Sequence, residues 1–333
     1  MKCLITGGGG YLATWLAEAL LKCGHGVRAL DVHFDPGRPV PFGVEMVKTD
    51  IRDRLKVRRA LGGIDLVFHL AFVQSMSQMP LGVCEDINIG GMKILLEESL
   101  RAGVKRFVHT STIEIYGTKP PVPCMESASQ DDPVGWYGEH KKICEEMLWQ
   151  FCADTGLSAT ALRMPTICGP GFYNHRGLLG LMDRILDTSF VIKIDDGDTL
   201  ADLVHYEDVI QGYLLAAEHP EAVGRAFNIS CRKSSSHRQI IRAMRRAVRS
   251  PSRVLRVPKY LASAALWFVS KTGWVEIPDD QRQYLEFDQV YDSGEARRLL
   301  GYDPKMSSAE AAAELIRYYA RDRDEIRQRS RNY

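Results

Sequence analysis

The chain has 333 residues, 45% of them apolar and 26% charged, the balance of a folded globular protein, which excludes wholesale disorder. Lys and Arg number 43 against 42 Asp and Glu, a net charge of +1, so no global field favours nucleic acid and any anion preference has to be local. The longest strongly apolar stretch, around residues 261–269, falls far short of the ~20 residues a membrane span needs.

Short apolar runs alternate with helical patterns, which predicts parallel βαβ units. Lys2–Thr6 reads as a first strand, and Tyr11–Lys22 as a helix with Leu12, Leu16, Ala19 and Leu20 at helical spacing. Gly26–Asp31 and residues 44–49 read as strands, 54–61 as a short helix, 65–71 as a buried strand and 86–102 as a helix. Arg106–Thr112 is a strand, 137–153 a helix and 158–164 a strand. Residues 170–200 break the pattern with Gly, Asp and aromatics. A helix at Tyr206–Glu218 and a strand at 226–230 restore it. From residue 234 the chain reads as mostly helical, broken at Pro251, Pro258, Pro278 and Pro304. The expected architecture is α/β: a doubly wound parallel sheet (residues 1–169 and 201–231) with a smaller, mostly helical substrate lobe (170–200 and 232–333). The site should lie between them, at the carboxyl ends of the strands.

Eight scattered cysteines form no CxxC pair. They fit neither a disulfide framework nor a zinc pattern, and no metal site is expected. The N-terminus runs straight into a strand and a glycine loop without signal-peptide architecture. Both features point to a reducing cytoplasm.

The strongest motif is Thr6-Gly7-Gly8-Gly9-Gly10-Tyr11-Leu12-Ala13, set between a predicted strand and a predicted helix. Glycines permit a tight turn and a close backbone approach to a pyrophosphate, and the helix N-terminus behind them favours an anion. A glycine turn alone does not require a ligand. Asp31 adds the second half of a Rossmann fingerprint: it ends the second strand 21 residues after Gly10, near the ~20-residue offset of the acid that pairs with the adenosine ribose hydroxyls. A carboxylate there repels a 2′-phosphate, and the next residues, Val32 and His33, supply no arginine to hold one. The expected cofactor is NAD.

Tyr137 and Lys141 stand at i and i+4 on one helix face. A free phenol, with a pKa of about 10, is too weak a base at neutral pH; a neighbouring ammonium favours phenolate, which can take the proton of an alcohol as hydride leaves. Thr112, closing the preceding strand, can bond the same substrate oxygen.

With Ser111-Thr112-Ile113-Glu114-Ile115-Tyr116-Gly117 in place, nearly the whole sequence resembles the extended short-chain dehydrogenase/reductase family, in its NAD-dependent epimerase/dehydratase branch. Further markers are Asp50-Ile51, His69-Leu70-Ala71, Asn88, Arg163-Met164-Pro165, Gly169-Pro170, Val204-His205 with Asp208, and Gly301-Tyr302. The resemblance implies that Thr112, Tyr137, Lys141 and Glu114 are the catalytic set. It assigns Gly7, Gly10, Tyr11, Leu12 and Asp31 to the cofactor, with Asp50 and Ile51 flanking the adenine. It places Leu70, Ala71, Pro165 and Ile167 along the cleft, and has Tyr137 and Lys141 contact the cofactor too. His69 and Asn88 read equally well as packing residues.

Glu114 matches a position where sugar dehydratases and sugar-acid decarboxylases of the family carry a Glu beside the substrate; as a residue alone it reads equally as a solvated strand end. Ile113 stands where dehydratases use an acid, which argues against 4,6-dehydration. Thr166, Ala201 and Pro278-Asp279-Asp280-Gln281 stand where nucleotide-sugar enzymes usually show an Asn and two diphosphate-gripping arginines. The pattern at Val257-Pro258-Lys259-Tyr260-Leu261 and at 291–302 looks closer to the 3β-hydroxysteroid-dehydrogenase-like branch. The expected substrate is therefore a small molecule, sugar-like or an apolar alcohol, and one further feature leaves room for an anionic one. Between residues 222 and 275 there are twelve Lys/Arg and no Asp or Glu. This stretch is either the solvated basic face of an amphipathic helix or an anion-binding or membrane-surface element beside the substrate lobe, and Arg242, Arg245, Arg246 and Arg249 fall largely on one side of a predicted helix.

The leading expectation is an epimerase/dehydratase-like enzyme that oxidises a secondary alcohol to a transient ketone. The second is a net dehydrogenase or reductase of a sterol-like or other apolar alcohol, and the third a non-catalytic NAD-binding protein. The resemblance also implies a homodimer paired through the helices over 86–102 and 137–153.

Overall fold

A computed structural model describes residues 1–331 apart from 76, 173–174, 188–189, 196–198 and 259–286. In chain order its strands are β1 (Lys2–Thr6), β2 (Gly26–Asp31), β3 (Glu45–Lys48), β4 (Leu66–His69), β5 (Arg106–Thr112), β6 (Ala159–Met164), β7 (Thr166–Cys168), β8 (Phe190–Asp195), β9 (Leu200–Ala201), β10 (Leu203–His205), β11 (Arg225–Asn228), β12 (Ser235–Ser236) and β13 (Arg253–Pro258). One sheet runs β11-β6-β5-β4-β1-β2-β3, with every pairing parallel. Its order reverses between β1 and β4, so a crevice opens at the carboxyl ends of those two strands, where doubly wound folds bind ligands.

The helices are α1 (Tyr11–Lys22), α2 (Arg54–Ala60), α3 (Leu81–Glu85), α4 (Gly91–Arg101), α5 (Gly135–Thr155), α6 (Arg176–Asp187), α7 (Tyr206–Glu218), α8 (His237–Ala247), α9 (Gly294–Leu300) and α10 (Ser308–Arg331). Burial follows the two periodicities. Cys3 and Ile5 of β1 enter one core with Leu16, Leu20, Phe68, Tyr213 and Phe227, while Leu4 enters the other with Val67, Leu95, Phe107 and Leu148, as alternation on a strand requires. A third core joins Leu179, Met182 and Ile185 of α6 to Ile240, Ile241 and Met244 of α8 and Leu315 and Tyr319 of α10.

The structure departs from the sequence expectations mainly in three places. The irregular stretch 170–200 contains α6 and β8, and β8 pairs in parallel with β13. Strands too short to show a period pair off the main sheet, β7 with β10 and β9 with β12. The helix expected at 86–102 begins earlier, at α3, and reaches α4 through a π-helical turn, Asp86–Gly90. No helix among the described residues is long and apolar enough to cross a membrane. The apolar run at 260–269 and residues 278–281 lie outside the described residues.

Candidate active site

A cleft of about 1020 Å³ opens over β1 and β4 and is lined from end to end by residues that the sequence singles out: Gly7, Gly10, Tyr11, Leu12, Asp31, Asp50, Ile51, Leu70, Ala71, Thr112, Glu114, Tyr137, Lys141, Pro165 and Ile167. At one end the glycine turn lies flat against both strand ends. Gly7 takes φ +68°, and a Cβ there would meet the Ala71 nitrogen at 2.7 Å; one on Gly9 would meet the His33 carbonyl at 2.2 Å. Gly10 caps α1 without a side chain, and no acid stands in the first turn, so the N-terminal end of that helix suits an anion. Thr6 Oγ accepts the Ala71 N–H at 3.2 Å and bonds His69 Nδ1 at 2.8 Å, fastening β1 to β4 under the cleft.

Asp31 accepts the Gly9 N–H at 2.9 Å on one oxygen and the His33 N–H at 3.2 Å on the other. Each oxygen keeps acceptor capacity for a ribose hydroxyl. The loop after β2 brings a cation that spacing does not reveal: Arg38, also on the cleft wall, donates to the Gly9 carbonyl at 3.3 Å. Arginine is thus absent from positions 32 and 33 but present in space. Asp50 is chelated by Arg52 at 2.7 and 3.0 Å, and that guanidinium holds its carboxyl below the usual range. Ile51 is buried, in contact with Gly91 at the start of α4. A glycine cradle, an exposed helix terminus and a ribose-type carboxylate in one cleft fit a dinucleotide.

The chemical end is built where β5 runs into a 3₁₀ turn, Ile113–Tyr116. Thr112 Oγ accepts the Glu114 N–H at 3.3 Å, and the Glu114 carbonyl accepts the Val134 N–H at 2.9 Å just before α5. Gly138 lets α5 pack closely on this turn: a Cβ there would lie 3.0 Å from the Glu114 carbonyl. Thr112, Glu114, Tyr137 and Lys141 therefore meet at one place, all four on the wall of the same cleft.

Electrostatics at this end differ from the sequence expectation. The Tyr137 phenol is pushed up, first by burial and then by the Glu114 carboxylate. Burial also lowers the Lys141 ammonium, to about 7. Lys141 is held by other partners than the phenol. Its Nζ donates to the Thr110 carbonyl at 2.6 Å and lies 3.6 Å from the Phe72 ring centroid, against 5.8 Å from that of Tyr137. Phe72 itself meets Tyr137 edge-on at 5.5 Å. The sequence gives no signal for Phe72 beyond its place two residues after Leu70.

Two residues read as packing in the sequence prove to be supports. Asn88, in the π turn, accepts the Val73 N–H at 2.7 Å and donates to the Val73 carbonyl at 3.1 Å, fixing the segment that carries Phe72. His69 is buried and neutral, its pKa lowered to about 3 by desolvation. Behind the site, Arg163 of β6 pairs with Glu145 of α5 at 2.6 Å, both nearly inaccessible, and donates to Tyr116 at 2.9 Å. This pair locks α5 to the sheet.

A parallel sheet with a glycine turn at its switch point, and a Thr–Tyr–Lys set facing it across one cleft, define an oxidoreductase-type dinucleotide enzyme of the extended short-chain dehydrogenase/reductase class. The chain belongs to the NAD-dependent epimerase/dehydratase family, whose model matches residues 3–230. It is 28% identical to short-chain dehydrogenase/reductase family 42E member 1 of Danio rerio, over 98% of this chain and 90% of the relative. It is 27% identical to a 3β-hydroxysteroid dehydrogenase/Δ5→4-isomerase of Mycobacterium tuberculosis, over 96% and 90%. Among solved structures it resembles a UDP-glucose 4-epimerase of Thermotoga maritima determined with UDP-glucose, with a TM-score of 0.79, 25% identity, and coverage of 96% of this chain and 99% of the other.

Proposed function

We propose that the protein oxidises a secondary alcohol of a small molecule to a transient ketone and then reduces or further transforms that ketone in the same cleft. The observation that carries this reading is the meeting of Thr112, Glu114, Tyr137 and Lys141 at one end of a cleft whose other end is the glycine turn and Asp31. Bound NAD supplies the hydride acceptor. Glycine-turn and α1 N–H groups hold its pyrophosphate, and Asp31 its adenosine ribose. Thr112 and Tyr137 bond the substrate oxygen, and Tyr137 takes its proton, then returns it to the ketone oxygen on reduction. Because burial and Glu114 keep the phenol protonated, Tyr137 serves as base only when the Lys141 cation is turned toward it. Glu114 stands beside the same substrate as a second proton acceptor or an orienting group.

A net dehydrogenase of a sterol-like or other apolar alcohol is the second reading. Thr166 on the cleft wall and the buried Ala201 of β9 favour it, since Ala201 has no donor for a diphosphate and Thr166 offers a single hydroxyl in place of an amide. The resemblance to the M. tuberculosis enzyme points the same way. Turnover of candidate nucleotide sugars and of hydroxysteroids, followed at 340 nm, separates the two. The first reading requires product without net NADH; NADH formed one-for-one with product would replace it by the second.

A further inference from the structure

The C-terminal helix does not run straight. At Asp322 the backbone of α10 leaves helical geometry (φ −112°, ψ 22°), and the segment beyond it lies along α6. Asp183 of α6 accepts the Tyr319 hydroxyl at 2.6 Å, pairs with Arg323 at 2.7 Å and also pairs with Arg327. Arg323 reaches Asp187 as well, at 2.7 Å, and Arg327 donates to the Leu179 carbonyl at 3.5 Å. Between the two arginines Ile326, 3% exposed, enters the third core. A shared carboxylate, two guanidiniums and an apolar peg make a latch, and networks of this kind hold better than isolated surface pairs.

With Ile326 turned inward, Glu325 and Gln328 stand one helical turn apart on another face of the segment. Both are exposed and both lie on the wall of the cleft that holds Gly9, Asp31 and Tyr137. The catalytic set comes from β5 and α5 and has no need of them. We propose that Glu325 and Gln328 are cofactor-retaining residues: the segment after Asp322, latched to α6, is the outer wall of the cofactor cleft, and the dinucleotide has to pass it to leave. Their chemistry suits that ligand. A carboxylate accepts from ribose hydroxyls, and a primary amide donates to phosphate oxygens. The inference rests on the cleft being the NAD site. It also gives that site a purpose: an enzyme that returns hydride to its own substrate gains from slow cofactor release.

The test is NADH release, with protein-bound NADH displaced by excess NAD and followed by its fluorescence. Three variants are compared with the whole protein: a chain ending at Arg321, Asp183→Asn, and the double variant Glu325→Ala/Gln328→Ala. Release should quicken about tenfold in the first two, equivalent to about 1.4 kcal/mol of lost contact, and several-fold in the third. The third variant changes only exposed side chains, so it tests the proposal even if the others lose the fold of the lobe. A wild-type release rate in Glu325→Ala/Gln328→Ala overturns the assignment. So does an unchanged rate in a folded truncation. Failure of the underlying reading looks different: the unaltered protein would then bind no NADH at all.

Discussion

The Lys141 ammonium sits over the Phe72 ring, 3.6 Å from its centroid. That contact takes the cation away from the phenol it serves and leaves it with one carbonyl acceptor, Thr110. Desolvation then lowers its pKa to about 7. An unfolded lysine titrates near 10.4, so between about pH 7 and pH 10.4 the unfolded chain binds a proton that the folded chain does not. Stability contributed by this group is therefore present above the unfolded value and is lost as pH falls through that window. Lys141→Met should raise the melting temperature at pH 7, flatten its rise toward pH 10, and abolish turnover. Thermal melts from pH 6 to 10 check it; a lower melting temperature at pH 7 would show that the Phe72 and Thr110 contacts outweigh the desolvation.

Tyr137→Phe removes the proton carrier but keeps the ring that meets Phe72. The variant should fold, bind NAD normally and lose turnover by ~10²-fold or more, the usual worth of general acid–base transfer. Glu114→Gln should slow turnover with NAD affinity intact, and by removing a charge that raises the phenol it should shift the pH profile toward lower pH. Isothermal titration with NAD, together with rate against pH, checks both. An unchanged rate in Glu114→Gln would reduce that residue to a part of the 3₁₀ turn.

Cofactor choice turns on two charges that meet at Gly9. Asp31 accepts its N–H and Arg38 donates to its carbonyl. Asp31 repels a 2′-phosphate, and Arg38 offers one a partner. The expected order is NAD over NADP, with Asp31→Ala weakening NAD and narrowing the gap, and Arg38→Gln widening it. Fluorescence titration with NADH and NADPH gives both ratios; tighter NADPH binding by the unaltered protein would contradict the assignment of Asp31.

How much of this was legible in the sequence depends on the range of each signal. The central strands of the large sheet carry buried apolar runs, and β1, β2 and β5 match their predicted bounds. The glycine turn and Asp31 are legible because one motif fixes both strand end and helix start. Arg38 is not, because its approach to Gly9 is set by the path of a loop. The π turn at Asn88 breaks the 3.6-residue period that a helix reading needs, so α3 is lost from view. Two- and three-residue strands such as β9 and β7 have no period to detect. Glu325 and Gln328 reach the cleft only through the bend at Asp322 and the pairing of Arg323 and Arg327 with α6, long-range contacts that no local pattern announces.

Helix α5 keeps several apolar side chains partly outside the core. Cys144 and Leu148 are spent in the core, yet Met147, Trp149, Phe151 and Cys152 remain only partly buried, more apolar surface than one sheet contact uses. The expected assembly is a homodimer with an isologous helical interface. Light scattering at micromolar concentration should report twice the chain mass, and Met147→Glu/Phe151→Glu should report a monomer. A monomeric unaltered protein would end this expectation.

The basic stripe at the end of α8 is the remaining charge feature; the helix ends at Ala247, so Arg249 stands just past it rather than on it. Arg242, Arg245, Arg246 and Arg249 border a depression of about 590 Å³ that shares no lining residue with the cofactor cleft. Arg245 donates to Ser252 at 3.2 Å, and among the described residues no acid pairs with any of the four. Like charges at i and i+4 cost a helix a few tenths of a kcal/mol per pair, while cations near a helix C-terminus regain a similar amount from its dipole. The two terms nearly cancel, so the stripe needs no ligand to persist. Exposed charges are screened over ~8 Å at physiological salt, so only a partner seated on this face would sense their loss. Arg242→Gln/Arg246→Gln should therefore leave the melting temperature within about a degree, and leave both sedimentation with anionic vesicles and the Michaelis constant unchanged. A salt-sensitive loss of vesicle binding in the variant would identify the stripe as a membrane-surface contact, whereas a salt-sensitive rise in the Michaelis constant would bring an anionic substrate to it.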